Sequence, residues 1–187
     1  MESVTLATSR LVLRAPSEAD IEAITAACQD PEIPRWTPLP SPYSRADAAG
    51  YVRAIADAWA DESQAIWCLY REGTLIGAVG LHRIQDHPSG GEAEIGYWLA
   101  ALARGNGYLV EAAQAVIDWA FENLGLARIG WRATVGNVAS ARTARALGFQ
   151  YEGMLRQGLT GPRGRDDGWV ASLLAGDDRT PTPWPML

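Results

Sequence analysis

The stretch of sequence that decides the fold runs from residue 93 to residue 124 and reads AEIGYWLAALARGNGYLVEAAQAVIDWAFENL. Its first seven residues, 93–99, place side chains alternately on two faces, which predicts a strand. Apolar residues then recur at helical spacing over 109–124, and Gly125 follows where a helix-ending glycine belongs. A further strand is predicted over 128–135. A strand–helix–strand unit of this length is typical of a right-handed parallel crossover.

The remaining elements make the predicted sheet mixed. Two strands at 65–70 and 75–84 flank a turn and form an antiparallel hairpin. The full predicted order is β-α-α-β-β-β-α-β-α-β-β, which places the chain in the α/β (α+β, mixed-sheet) class. The segment 31–42 is rich in proline and is predicted to be a loop. We expect a single domain over 1–178 and a proline-rich tail, 179–187, that is mobile or extended on a surface.

Composition excludes several classes of protein. Of the 187 residues, 48% are hydrophobic and 20% are charged, which is typical of a globular chain and not of a disordered or fibrous one. The net charge of -6 argues against nucleic acid or an anionic membrane surface as the main partner. No secretory pattern or membrane-length apolar run is present, so we expect a cytoplasmic protein. Cys28 and Cys68 lack metal-ligand spacing, so we expect buried thiols and no metal site.

The loop Arg104-Gly-Asn-Gly-Tyr108, between the predicted strand and the long helix, carries the most informative chemistry. Glycines at a helix start let backbone N–H groups point at an anion, and the helix dipole favours negative charge there. Arg104 adds a permanent cation that is able to hold a phosphate. The loop lacks the Gly-Lys-Ser/Thr ending of a Walker loop and the third glycine of a dinucleotide-binding fingerprint. The plainer alternative is that Gly105 and Gly107 only form a tight turn.

A second helix start follows one strand later, at Asn137-Val-Ala-Ser140. If the two strands are parallel neighbours, both helix starts open at the same edge of the sheet, where ligands bind in such sheets. Arg142 and Arg145 on this second helix supply further positive charge. In an acidic protein, the combination predicts a local site for a phosphorylated ligand. The alternative is a plain helix cap at Asn137 and a solvated helix face at the arginines.

Taken together, the motifs resemble the GNAT superfamily of acyl-CoA-dependent N-acyltransferases, and most of all its Rim-type branch, which includes ribosomal-protein N-terminal acetyltransferases. The matching pieces are, in family order, Ser9-Arg-Leu-Val-Leu-Arg14 with Ala19-Asp20, Ile95-Gly-Tyr-Trp-Leu99, Arg104-Gly-Asn-Gly-Tyr108, Glu111-Ala112, Asn137-Val-Ala-Ser140, Leu147-Gly-Phe149 and Glu152-Gly-Met-Leu-Arg156. The resemblance extends over residues 9–174. One departure is Leu109, which stands where the phosphate-loop motif of the family ends in Gly or Ala.

The resemblance implies a GNAT-like fold and the direct transfer of an acetyl or other short acyl group from acyl-CoA to a primary amine, in one ternary complex. The amine would belong to a protein N-terminus or to a small molecule. Acetyl-CoA or another acyl-CoA is therefore the expected co-substrate, with no metal. The residues expected to bind it are Trp98, Leu99, Arg104, Gly105, Asn106, Gly107, Tyr108, Asn137, Ser140 and Arg145.

Two catalytic roles are implied as well. Ser140 is expected to donate a proton to the leaving thiolate, while an N–H near Leu99 polarises the thioester carbonyl. We expect Glu94 to take the proton from the amine, directly or through water, because it lies on the strand that leads into the acyl site. The alternative bases are Glu92, His82, Asp167 and Glu111. Two tryptophans, Trp36 and Trp59, are candidates for the wall of the amine pocket, with core packing as the alternative for Trp59.

The sequence also leaves two other functions open. One is a catalytically idle relative that binds CoA as a sensor or interaction module, and another is an unrelated nucleotide-binding α/β protein. The identity of the amine, the size of the acyl group and the oligomeric state, including a homodimer, are also left open.

Overall fold

The computed structural model describes residues 1–161 and 164–187, and within them the chain forms eight strands and five α-helices. The strands are β1 (Leu6–Ala7), β2 (Val12–Arg14), β3 (Ala65–Arg71), β4 (Thr74–Gln85), β5 (Gly91–Leu99), β6 (Leu126–Thr134), β7 (Gln150–Gly161) and β8 (Gly164–Leu174). The helices are α1 (Ile21–Ala27), α2 (Glu32–Trp36), α3 (Arg45–Ala60), α4 (Tyr108–Asn123) and α5 (Val138–Ala146). The predicted order of long elements is confirmed.

All eight strands belong to one mixed sheet with the order β1-β2-β3-β4-β5-β6-β8-β7. Neighbouring strands of this sheet are antiparallel, except β5 and β6, which are parallel and are joined through α4. The predicted parallel crossover is therefore confirmed. Because α4 and α5 each follow one of these two strands, both helices begin at the same edge of the sheet.

Helices pack on both faces of the sheet. The larger apolar cluster joins α4 and α5 to buried residues such as Leu81, Ile95 and Trp131. A smaller cluster joins α1 and α3 to the opposite face and includes both cysteines, which are buried and unpaired as predicted. Side chains of β4 and β5 thus alternate between a face covered by α4 and α5 and a face covered by α1 and α3.

The strands β5 and β6 separate partway along their length. β5 stays paired with β4 as far as Leu99, but its pairing with β6 ends at Ile95 and Trp131. The N–H of Ala100 donates to the carbonyl of Ile76 on the β4 side, at 2.9 Å. Since successive residues of a strand point their backbone groups to opposite edges, the N–H groups of Tyr97 and Leu99 face the gap.

Two local predictions are wrong. The proline-rich segment predicted to be a loop contains α2, because Pro31 precedes the helix and Pro34 lies in its first turn, where a missing N–H costs no helical hydrogen bond. The two closing strands, predicted over 149–156 and 169–174, are also too short. β7 and β8 continue as a paired hairpin to Gly161 and Gly164, with an outer part that is mostly exposed and so lacks the alternation that marks a half-buried strand.

The C-terminal tail packs against the rest of the chain through Trp184. Trp184 is only 3% exposed, and its indole N–H donates to the carbonyl of Phe149 at 3.3 Å. Its ring packs against Trp131 and Tyr151, with centroid separations of 5.5 and 5.6 Å. The prolines keep the tail free of regular structure, but the large buried aromatic ring fixes it to the same chain.

A partly buried ion pair at the start of α1 gives the fold an expected dependence on pH. Asp20 accepts hydrogen bonds from both terminal nitrogens of Arg14, at 2.8 and 2.9 Å, and from Ser17. Burial raises the pKa of Asp20, but these hydrogen bonds outweigh it and hold the pKa well below its usual range. Its contribution to stability is therefore full above pH ~4 and is lost as the pH falls further.

Asp20→Asn is expected to lower the free energy of unfolding by about 1–3 kcal/mol at pH 7, because Arg14 and the Ser17 N–H lose a charged acceptor. Urea unfolding of both proteins at pH 7 and pH 3 measures the effect. The difference between wild type and variant shrinks at pH 3 if Asp20 is responsible. An equal difference at both pH values would contradict this assignment.

Candidate active site

A single cleft of about 1190 Å³ opens where β5 and β6 separate. Its floor is formed by β4 and β5. One wall consists of the glycine loop with the first turn of α4, the end of β6 and the first turns of α5. The opposite wall consists of α2, the segment that follows it and residues 63–66 at the start of β3. The cleft thus joins the two helix starts that the sequence placed at one edge to a second compartment on the α1–α3 face.

The loop before α4 presents a row of backbone donors. Gly105 and Gly107 have φ values of 77° and 76°, in the left-handed region that glycine adopts without strain. The first hydrogen bond of α4 runs from the N–H of Glu111 to the carbonyl of Gly107. The N–H groups from Gly105 to Val110 donate to no other described residue, so they and the helix dipole can hold an anion.

Arg104 does more than contribute charge to this loop. Its Nε and one Nη donate to the carbonyl of Leu99, at 3.2 and 2.9 Å, and the same Nη lies 2.6 Å from a carboxylate oxygen of Asp30. The guanidinium therefore ties the end of β5 to the segment between α1 and α2. Sequence reasoning missed Asp30, since no local pattern marks a residue that meets the loop only in the fold.

The other side chains predicted to bind the co-substrate divide into two groups. Trp98, Leu99, Asn137 and Ser140 line the cleft. The side chain of Asn106 instead donates to carbonyls of its own loop, and the ring of Tyr108 is buried beneath the guanidinium of Arg10, 4.6 Å from the ring centroid. These two residues shape the loop through their side chains.

On α5, the structure brings Arg142 to the cleft, while Arg145, which the sequence analysis selected for co-substrate binding, is not among the residues that line it. Arg145 lies nearly one turn further from the start of α5, and only the first turns of this helix border the cleft. Leu109, the departure from the family motif, lies in the first turn of α4 and also lines the cleft.

Ser140 belongs to a hydrogen-bonded group on the α4–α5 side of the gap. Its hydroxyl accepts from the indole N–H of Trp131 at 3.1 Å and donates to the hydroxyl of Tyr97 at 3.3 Å. Tyr97 in turn donates to the carbonyl of Ser140, and Asn137 caps the helix by accepting from the N–H of Ser140. Burial raises the pKa of Tyr97, so its phenol stays protonated at neutral pH.

Glu94 faces the compartment on the other side of the sheet. Its Oε2 accepts a hydrogen bond from Arg83 at 2.9 Å and lies 3.3 Å from the Nε of Arg132. Arg83 reaches this position because β4 carries a bulge between His82 and Gln85, with Arg83 at a left-handed φ of 53°. The two arginines were missed because they are isolated in sequence and meet Glu94 only across three strands.

His82 is the direct partner of Glu94 across β4 and β5. Its Nδ1 lies 2.6 Å from the side-chain oxygen of Gln64, which precedes β3. Its Nε2 lies over Gly96, only 3.0 Å from the point that a Cβ on that glycine would take. Burial, followed by the charge of Arg83, lowers the pKa of His82.

The remaining sequence candidates lie elsewhere or have other partners. Glu111 accepts hydrogen bonds from Arg10 and Thr8, Asp167 accepts one from Gln157, and Glu92 lies near Arg128. Trp59 is buried in a T-shaped contact with Trp67, so core packing is the correct alternative. Trp36 lines the cleft, and its ring tip lies near Gly136 on the opposite wall.

Comparison with known proteins gives a consistent result. Residues 10–150 match the family model described as an acetyltransferase (GNAT) domain. The uncharacterised N-acetyltransferase YoaA of Bacillus subtilis (strain 168) is 36% identical over 155 residues, which cover 81% of this chain and 86% of that protein. The ribosomal-protein-serine acetyltransferase of Escherichia coli (strain K12) is 35% identical over 92 residues, 49% of this chain and 50% of that protein. A crystal structure described as a "probable acetyltransferase" is 28% identical, with a TM-score of 0.82 over 92% of this chain and 97% of its own.

No helix within residues 1–161 and 164–187 is long and apolar enough to cross a bilayer. Nor do the described residues contain a group of three or more His, Cys, Asp or Glu side chains that is suited to hold a metal ion.

Proposed function

This chain belongs to the GNAT acetyltransferase family and is an acyl-CoA-dependent N-acyltransferase, and from that premise we propose that it transfers an acetyl group to the N-terminal α-amine of a protein or peptide. The observation that carries the proposal is the continuity of the cleft. It connects an anion-binding loop on the α4–α5 side with a carboxylate-bearing compartment on the α1–α3 side, through the gap between β5 and β6.

We assign the diphosphate of acetyl-CoA to the free N–H groups of the loop from Gly105 to Val110. Two left-handed glycines supply donors without side chains that would block a close approach, and the positive end of the α4 dipole adds to the attraction. Arg104 supports this loop by fixing its junction with β5. The pantetheine arm then follows the gap past Asn137 and Trp98, both of which line the cleft.

The reacting thioester is assigned to the gap itself. The N–H of Leu99 faces it and is suited to stabilise negative charge on the carbonyl oxygen, while Arg104 holds the carbonyl of the same residue. Ser140 is assigned as the proton donor for the leaving thiolate. Its hydroxyl is positioned by Trp131 and Tyr97.

The acceptor is assigned to the compartment that contains Glu94. A carboxylate there attracts an ammonium group, and Glu94 is held in place by Arg83 and Arg132. An α-amine has a pKa of roughly 8, against 10.4 for lysine, so it is deprotonated more readily at neutral pH. The printed name of the E. coli relative, a ribosomal-protein-serine acetyltransferase, supports a protein acceptor.

The proton balance defines what the residues must accomplish. The acceptor arrives as an ammonium ion with three N–H bonds, and the amide product retains one. One proton leaves the nitrogen before attack, so that its electron pair can bond to the acyl carbon. As the C–S bond breaks, Ser140 gives its hydroxyl proton to the thiolate, which becomes a thiol, and the second proton from nitrogen restores the Ser140 hydroxyl. Glu94 and the groups beside it serve the first of these steps.

The acceptor is tested by measuring thiol release from acetyl-CoA and succinyl-CoA with a panel of amines. A peptide with a free N-terminal serine is expected to exceed spermidine and an aminoglycoside in kcat/KM by at least about tenfold, which corresponds to ~1.4 kcal/mol. The matched control is the same peptide with an acetylated N-terminus and an internal lysine, which is expected to give no turnover. Faster turnover of the polyamine or aminoglycoside would overturn the acceptor class but not the acyl transfer.

A further inference from the structure

His82 and Gln64 form a pair at the floor of the acceptor compartment, on the same side of the sheet as Glu94. The carbonyl oxygen of an amide can only accept a hydrogen bond, so the 2.6 Å contact requires that the proton of the neutral imidazole be on Nδ1. The Nε2 then carries an unshared electron pair. This nitrogen lies beside Gly96, which has no side chain to cover it, and both residues line the cleft.

The backbone near His82 is also shaped for this arrangement. Adjacent residues of a regular strand point to opposite faces, but the bulge in β4 lets both His82 and Arg83 line the cleft. Arg83 holds a left-handed conformation that is unusual for a residue with a side chain, and such conformations cluster at functional sites. Gly80 on β4 faces Gly96 on β5, and the missing Cβ of Gly96 makes room for the imidazole.

We propose that His82, oriented by Gln64, is the base that deprotonates the acceptor amine, and that Glu94 holds the ammonium group beside it. The proposal rests on the acyl-transfer function assigned above. Arg83 and Arg132 both contact Oε2 of Glu94, which leaves Oε1 of the same carboxylate to hold the ammonium. His82 by contrast presents a bare nitrogen.

The step is a simple proton transfer. One N–H bond of the ammonium breaks, its electron pair stays on nitrogen, and the proton bonds to Nε2 of His82, which becomes an imidazolium. The open cleft then lets the proton pass to solvent, and the neutral amine attacks the acyl carbon. No oxidant or further reactant is involved.

The charges around His82 determine how it titrates. Arg83 on its own strand disfavours the imidazolium, and Glu94 on β5 favours it, while Arg132 on β6 reaches Glu94 and offsets its charge. The segment before β3 contributes the neutral side chains of Gln64 and Ser63. Because burial and Arg83 lower the pKa of His82, Nε2 is unprotonated at neutral pH and is able to accept a proton.

The first test is His82→Asn. General-base catalysis contributes ~10²–10⁴-fold, so we expect kcat to fall by at least about 100-fold while the KM for acetyl-CoA stays within about twofold. His87→Gln is the matched control, because His87 lies in an exposed loop and bonds to Ser89. Unchanged kcat in His82→Asn would overturn the proposal.

The second test is Gln64→Glu, which keeps the fold and the acceptor oxygen but adds a negative charge beside Nδ1. This charge favours the imidazolium, so the acid limb of the kcat–pH profile is expected to move up by at least about 1 pH unit. A merely structural role for the pair would leave that limb in place, and a limb that does not move contradicts the proposal.

A third measurement needs no acceptor and so separates this proposal from the assigned function. With only two histidines in the chain, nitrogen-15 NMR of wild type and His87→Gln identifies the His82 signals. We expect a neutral ring with the proton on Nδ1 at pH 7. A charged ring, or a proton on Nε2, would overturn the assignment of His82 even if the enzyme acetylates peptides efficiently.

Discussion

Replacing Gly107 with valine is expected to raise the KM for acetyl-CoA by about 30- to 100-fold, or ~2–2.7 kcal/mol. Gly107 has a φ of 76° and forms the N-cap of α4. A residue with a Cβ pays roughly 1–2 kcal/mol in this region, and a β-branched side chain is a clear outlier there. The loop then turns away from the left-handed conformation, and the row of N–H groups that we assign to the diphosphate no longer converges.

The control for this experiment is a donor without the diphosphate. Acetyl-pantetheine has the same reacting thioester, so its KM is expected to change little in Gly107→Val. Gly73→Val is the matched protein control, because Gly73 has a similar φ of 80° in the turn between β3 and β4, away from the cleft. A KM for acetyl-CoA that is unchanged, or that rises equally for both donors, would show that the loop does not bind the diphosphate.

Trp184→Ala is expected to lower the free energy of unfolding by about 3–5 kcal/mol, the usual cost of removing a large aromatic side chain from a core. Trp184 is 3% exposed and packs against Trp131 and Tyr151. The lost ring leaves a cavity, and the carbonyl of Phe149 loses its indole donor. For a chain of this length, the change corresponds to a fall in Tm of roughly 10 °C.

Denaturant unfolding and differential scanning calorimetry measure this change. Trp36→Ala is the matched control, because the same side chain is removed from the partly exposed wall of the cleft and should affect stability much less. A stability of Trp184→Ala equal to that of wild type would mean that the tail is not part of the core. Since Trp131 lies between Trp184 and the hydroxyl of Ser140, a moderate loss of kcat is expected to accompany the loss of stability.

The architecture was predicted well where local pattern and tertiary structure agree. The alternation over 93–99 and the helical spacing over 109–124 gave the strand and helix around which the sheet is built, and the parallel pairing of β5 and β6 followed from the length between them. The prediction failed where a segment is short or unusually placed. A five-residue helix between prolines and an exposed hairpin end have no periodic signal.

The residues of the candidate site also fall into two groups: those that a local sequence pattern indicates, and those that only the fold brings together. Gly105, Gly107 and Asn137 were found from sequence because helix starts have local requirements that a few residues express. Asp30, Arg83 and Gln64 were not found, because each acquires its partner from a distant strand or helix. Arg104 is an intermediate case. The sequence indicates its charge, but not that its guanidinium binds the carbonyl of Leu99 and the carboxylate of Asp30.

The sequence by itself determined the family, the order of the long elements and the glycine loop, because periodicity and helix-start chemistry are properties of neighbouring residues. Only the tertiary structure decided which side chains face which side of the sheet. A bulge in β4 places His82 and Arg83 together, and the early separation of β5 from β6 turns backbone N–H groups of β5 toward the cleft. Both follow from strand register, which is settled by the packing of the whole sheet and by no single segment.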